Sequence, residues 1–268
     1  MKRFIIVLLA VLWLVLPSPA SAIDGFPGST WGDLHWESPH PGENDVVLSG
    51  WVRQGIGWKR WEIGGDMSLT LDTYATVRYY ADTHGFDWFN YFGPGGGVSL
   101  DLSAPHGPSV SAGAEYIHQM NFRSSTERPY AALYLNWYHW WDLHEKDYPG
   151  ATWGDLRWEV PTNGGNDNLI LEGWVKQGIV LKRWETGSTT YFIDPYVRVR
   201  YKYDSLGQNW NNYIGPGAGI ALEIEKPDGP LVSFGAEYGW ERDWKSGNDV
   251  NRIEVYMRWY AWWDLKKK

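Results

Sequence analysis

Along residues 196–203 apolar and charged positions alternate one for one. Val197, Val199, Tyr201 and Tyr203 fall on one side, and Arg198, Arg200 and Lys202 on the other. A helix would mix the two sets, whereas a β-strand separates them onto unlike faces. The last segment, Arg252 to Leu265, shows the same period, with Val255, Met257, Trp259, Ala261 and Trp263 in one mostly apolar row. Strands are also predicted over 217–224 and 231–244, broken by polar, Gly- and Pro-bearing stretches such as Pro227-Asp228-Gly229-Pro230.

Nearly every one of these segments has an earlier copy. Tyr213-Ile214-Gly215-Pro216-Gly217-Ala218-Gly219 answers to Tyr91-Phe92-Gly93-Pro94-Gly95-Gly96-Gly97, an offset of 122 (213 against 91). Trp31 to Glu37 matches Trp153 to Glu159, and Tyr74 to Tyr80 matches Tyr196 to Lys202, although the earlier copy keeps only Arg78 of the basic row. Val46 to Trp61 matches Leu169 to Trp184 with one inserted residue. Ser109 to Phe122 matches Leu231 to Trp244, and Tyr130 to Leu143 matches Arg252 to Leu265. The reading is one domain over 23–268, built of two homologous six-strand repeats, 29–144 and 151–265.

Connection lengths turn this strand list into an architecture. The breaks after the second and fourth strands of each repeat are tight; those after the first, third and fifth are longer and more polar. Adjacent antiparallel strands send alternate connections to opposite ends, so one end carries the long loops and the other the short turns. Outer-membrane barrels are built this way, with short periplasmic turns and longer external loops. The predicted fold is therefore all-β: an antiparallel transmembrane β-barrel of about twelve strands, or ten if the Trp-Gly-Asp-Leu segment opening each repeat is not a strand. Several segments approach the roughly ten residues that a tilted strand needs to cross lipid. Strand-interior glycines at 50, 55, 113, 173, 178 and 235 suit a strongly curved sheet.

Composition narrows the setting. Lys2 and Arg3, the apolar run Phe4 to Leu16 and Ala20-Ser21-Ala22 form an export leader with a small-residue cleavage site, giving a signal peptide over 1–22. There is no cysteine, so neither a disulfide scaffold nor thiol catalysis is open to the chain. Losing Lys2 and Arg3 takes the net charge from −8 to about −10, which argues against a nucleic-acid partner. The 20 Trp and 17 Tyr against 8 Phe favour rings with one polar atom, suited to places wet at one end and dry at the other. Membrane interfaces and sugar-binding faces are two such places. Trp61, Trp184, Trp88, Trp210, Trp141 and Trp263, with Trp140 and Trp262, are the candidate aromatic girdle.

The leader, alternating strands, Asx-rich loops and Trp-rich last strand resemble bacterial outer-membrane β-barrel proteins over the whole chain after the leader. The last strand departs from that pattern by ending in Asp264-Leu265 and three lysines instead of an aromatic residue. More narrowly, Asp204, Gly207, Trp210, Asn212 and Gly215 to Gly217 form a pattern similar to barrels associated with envelope polysaccharide export and with phage adsorption protein A. That resemblance implies a route or docking surface for a secreted glycan, and no catalytic residues.

The candidate lumen lining is Arg78, Arg198, Arg200 and Lys202, with Glu115 and Glu237 opposite in charge. On a lipid face such a basic row costs about 2–4 kcal/mol per charge near the midplane, so it must point inward. There the two signs either line a selective pore or pair and plug it. All seven histidines lie in the first repeat and none has a histidine counterpart; His35 is matched by Arg157 and His139 by Ala261. No nucleophile elbow or metal-spaced histidine pair occurs. The mirrored carboxylates Asp33/Asp155, Glu37/Glu159, Asp72/Asp194, Asp82/Asp204, Glu115/Glu237 and Asp142/Asp264 could in principle serve a glycosidase, but charges facing a watery lumen or strand ends account for them. No catalytic, metal or cofactor residue is assigned. The leading expectation is a cell outer-membrane channel or export partner with a saccharide as candidate solute, its partners being outer-membrane lipid and a polysaccharide-export machinery. Behind it stand a secreted or periplasmic Trp-rich tandem β-sandwich that binds carbohydrate, and a barrel hydrolase.

Overall fold

The computed structural model describes residues 23–84, 90–104, 107–143, 147–207, 211–227 and 229–265. Residues 1–22, the expected leader, and Trp88 and Trp210 of the expected girdle lie outside them. Thirteen strands form one antiparallel sheet: β1 (Pro27–His40), β2 (Asp45–Gly64), β3 (Met67–Asp82), β4 (Tyr91–Ser103), β5 (Ser109–Asn121), β6 (Glu127–Asp142), β7 (Pro149–Pro161), β8 (Asn168–Gly178), β9 (Lys182–Thr186), β10 (Thr189–Asp204), β11 (Tyr213–Glu225), β12 (Leu231–Asp243) and β13 (Asp249–Asp264). β13 pairs with β1 from Pro27↔Asp264 to His40↔Asn251, so the sheet closes on itself and leaves no edge. β8 and β9 both pair with β10, as the single strand β2 pairs with β3, which makes the barrel twelve staves round.

The Trp-Gly-Asp-Leu segments lie inside full strands, β1 and β7, which settles twelve against ten. One closed sheet also replaces the tandem β-sandwich. Leu169 to Trp184 is not one strand, however. Pro195 faces the gap between β8 and β9 and has no N–H for the ladder, so regular pairing lapses over 179–181. Ile179 and Leu181 still donate to the carbonyls of Pro195 and Ile193. In the first repeat the same region carries a bulge between Gly57 and Lys59.

The polarity of the barrel is inverted relative to a water-soluble sheet. Outward rows present Leu34, Trp36, Leu48, Val52, Phe92, Leu100, Val197, Val199, Ile220, Phe234, Ile253 and Val255, all exposed. Inward rows bury Asp33, Asp194, Arg198, Glu115, Glu237 and Glu254. An apolar surface wrapped around a charged interior is what lipid outside and polar side chains inside require. The two-residue turns at 65–66 and 187–188 and the ends of the described chain, near Gly25 and Leu265, lie at one end, the periplasmic end of such a barrel.

The glycines answer to packing more closely than to curvature. A Cβ on Gly113 would lie 2.6 Å from the Tyr134 hydroxyl, and one on Gly97 would lie 2.7 Å from that of Tyr74. Inward tyrosines from β3 and β6 thus lie flat over the bare backbone of β4 and β5. Tyr196 and Tyr256 do the same over Gly219 and Gly235. On the outer face Trp259 and Trp137 cover Gly32 and Gly154.

Trp141 and Trp263 are outward at the periplasmic rim, as a girdle needs, and each fastens a seam. The Trp263 indole N–H donates to Gln54 Oε1 (2.8 Å), while Gln54 Nε2 donates to the carbonyls of Phe26 and Pro27 (3.0 and 3.1 Å), linking β13, β1 and β2. Trp141 and Gln177 repeat the clasp at the β6–β7 seam, with an indole bond of 2.9 Å. Trp61 and Trp184 sit on the exposed ends of β2 and β9. Trp140 and Trp262 are excluded from the girdle, because strand alternation turns them to the inner face.

Candidate functional site: the lumen

The interior is organised about an approximate two-fold axis along the barrel. β1 and β7 are six staves apart, hence opposite each other, and Trp31 and Trp153 are equivalent positions on them. Their rings stack across the lumen with centroids 6.4 Å apart and planes 7° apart. Tyr138 and Tyr260, also equivalent, stack at 6.2 Å. The two stacks stand side by side, because Trp31 is in register with Tyr260 across β1–β13 and Trp153 with Tyr138 across β6–β7. Four rings therefore span the barrel at one level. An eight-stranded barrel is just wide enough for side chains to fill, and twelve strands give more room. Two rings can bridge it only if the cross-section is flattened along the β1–β7 line.

Above the rings, toward the external loops, lie the ionic networks. Tyr74 and Tyr134 share a hydroxyl hydrogen bond of 2.9 Å, and the Tyr74 hydroxyl lies 3.3 Å from Glu115. Arg78 donates to the other Glu115 oxygen at 2.7 Å. The second repeat copies this with Tyr196, Tyr256 and Glu237 (2.9 and 2.8 Å), and Arg200 stands where Arg78 does, 3.2 Å from Glu237. Arg198 adds a second guanidinium to Glu237 at 2.7 Å. Lys202 pairs with Glu172 at 3.1 Å on the neighbouring strand. Nearer the periplasm Lys176 bridges Asp194 (2.7 Å) and Glu223 (2.9 Å), and its counterpart Arg53 meets Asp101 at 3.3 Å.

The structure thus brings Arg198, Arg200 and Glu237 together on one side, holds Arg78 with Glu115 on the other, and sets Lys202 apart with Glu172. It adds a centre that sequence reasoning passed over. Glu254 is 1 % exposed and accepts from Arg200 (3.0 Å) and Arg258, with Arg252 and Arg198 at 3.8 and 4.0 Å. Arg258 also donates to Asp33 (2.7 Å), and Arg252 to Glu37 (2.8 Å) and Glu241 (2.5 Å). The signal was available: Arg252, Glu254, Tyr256, Arg258 and Tyr260 form the row opposite the apolar row of β13.

Asp33, His35 and Glu254 place ligand atoms within 4.8 Å of one another, the nearest approach to a metal-binding set among the described residues. Arg258 lies between the two carboxylates and hydrogen-bonds to both, and His35 Nδ1 is 2.8 Å from Asp33. The donor set is matched to a guanidinium and an imidazole. Chemically the lumen is a stack of paired charges and flat rings. Carboxylates this deeply buried, at 1 % for Glu254 and Asp194 and 3 % for Glu237, do not line a wide water-filled pore at their level.

No family model matches the chain, and no curated protein matches it. Among solved structures, the β domain of the Bordetella autotransporter BrkA is similar at 13 % identity and a TM-score of 0.45, covering 87 % of this chain and 98 % of that one. An outer membrane channel from Pseudomonas putida F1 is similar at 8 % identity and 0.44, covering 92 % and 99 %. A bacterial polysaccharide outer membrane secretin gives 11 %, 0.41, 91 % and 100 %. These are likenesses of strand layout. The closed sheet, the apolar exterior and the buried charged interior make the chain a twelve-stranded outer-membrane β-barrel.

Proposed function

We propose that this barrel is a conduit for a polar solute, shut in the state described here, with a saccharide as the solute class. The observation that carries the reading is the ring stack on the two-fold axis, Trp31 on Trp153 and Tyr138 on Tyr260. Barrels whose only task is to stand in the membrane can fill their interior with any side chains that pack. Here the fill is two pairs of rings that can part without breaking a strand ladder, flanked by charges paired along one strand or across one to three strands. Flat indole and phenol faces with hydroxyls and charged groups beside them suit the alternating apolar faces and hydroxyl edges of sugar rings. The saccharide assignment rests on this inventory. We propose no catalytic role; Glu115, Glu237 and Glu254, three of the most deeply buried carboxylates, are engaged by arginine.

The test is solute entry into proteoliposomes, read by swelling in isosmotic saccharide solutions of increasing chain length. W31A/W153A is expected to admit mono- and oligosaccharides that the wild-type barrel excludes or admits slowly. If the double variant still migrates faster unboiled than boiled, and so remains a folded barrel, yet admits no saccharide, the conduit reading fails.

A further inference from the structure

Strand positions facing outward carry almost no charge. Those at the external rim come paired: His118 lies 3.2 Å from Glu127, and Arg242 lies 3.8 Å from Asp249. At the periplasmic rim the outward rows hold two cations, Lys59 and Lys182, each opening a Lys-Arg-Trp-Glu run. The registers fix their direction. Lys59 and Trp61 stand opposite Leu71 and Leu69; Lys182 and Trp184 stand opposite Ile193 and Tyr191. Among the described residues neither ammonium has a carboxylate partner, and each lies over the indole two residues on, 5.0 and 5.8 Å from the ring centroid.

An exposed cation–π contact is a weak attraction to a ring face and leaves the charge uncompensated. A lysine at the rim of an apolar band stretches to headgroup depth, where indoles also settle. The anionic group at that depth is the lipid phosphodiester. We propose that Lys59 with Trp61, and Lys182 with Trp184, are two equivalent binding sites for the phosphate of a glycerophospholipid in the periplasmic leaflet. The ammonium pairs with a phosphate oxygen, and the indole packs at the junction of glycerol and acyl chain. Neither site touches the lumen, so this proposal stands apart from the conduit reading.

Native mass spectrometry of the full-length barrel, loaded with dioleoyl phosphatidylglycerol or with dioleoylglycerol, tests it. Two molecules of the phospholipid should stay bound and none of the diacylglycerol, which has the same tails and no phosphate. K59Q and K182Q should each lose one phospholipid and K59Q/K182Q both, while K59R/K182R keeps two; heat-modifiable migration shows that each variant is folded. Two phospholipids retained by folded K59Q/K182Q, or equal retention of dioleoylglycerol, would overturn it.

Discussion

The two seams of the barrel share a register and a clasp, yet they neutralise the same carboxylate in different ways. At the β13–β1 seam Asp33 is met by Arg258 from the neighbouring strand at 2.7 Å, and position 35 is histidine. At the β6–β7 seam the place of Arg258 is taken by Asn136, and Asp155 is met at 2.5 Å by Arg157 from its own strand, at the position of His35. The cation has moved from one strand to the next. Around it, Glu254 gathers four arginines, whereas Ala132 stands at its place in the other half, where Glu115 lies 2.7 Å from Arg78 and 4.0 Å from Arg157, which Asp155 and Glu159 also neutralise. Equal backbones thus tolerate unequal networks provided each buried charge keeps a partner. The local sum of charge, not the identity of any one residue, is what the lumen holds fixed.

The largest break in that comparison should come from Glu254→Ala. It takes a shared carboxylate from four arginines and leaves the buried cluster with excess positive charge, and removing one member of a buried network costs about 3–5 kcal/mol. Chemical unfolding in detergent should show the loss. Adding R258N and H35R, which copies the Ala132, Asn136 and Arg157 arrangement of the other seam, should return most of it. A triple variant no more stable than E254A would mean that the two halves are not interchangeable solutions.

A smaller effect sharpens the opposite side of the comparison, the part that is the same. Q54A and Q177A each remove an acceptor for an indole and a donor for two carbonyls. Each should cost about 1–3 kcal/mol through the groups left unpaired, and by equal amounts. A loss confined to Q54A would show that the β13–β1 seam, which has no covalent link, depends on its clasp more than the β6–β7 seam does.

Much of this architecture can be read from residues alone. The alternation from Val197 to Tyr203 marks an inward basic row, and the alternation of connection lengths demands a strand at Trp31 to Glu37 before any coordinate is known. What the chain hides is whatever depends on contacts across the barrel. The row Val255 to Trp263 advertises the lipid face of β13 and draws the eye from Glu254 and Arg258 behind it. The stacking of Trp31 on Trp153 depends on a flattened cross-section that no local pattern encodes. Gly113 and Gly235 look like concessions to curvature until Tyr134 and Tyr256 are seen lying over them. Trp140-Trp141 and Trp262-Trp263 look like one girdle, but a one-residue step in a strand sends half of each pair inside.

The most direct test of the shut conduit is single-channel current across a planar bilayer holding the full-length barrel, wild type against W31A/W153A. The account predicts a wild type that is silent apart from brief openings, and a variant with long-lived conducting steps at the same protein density. Sustained wild-type conductance equal to that of the variant would contradict it, because the rings on the two-fold axis would then close nothing.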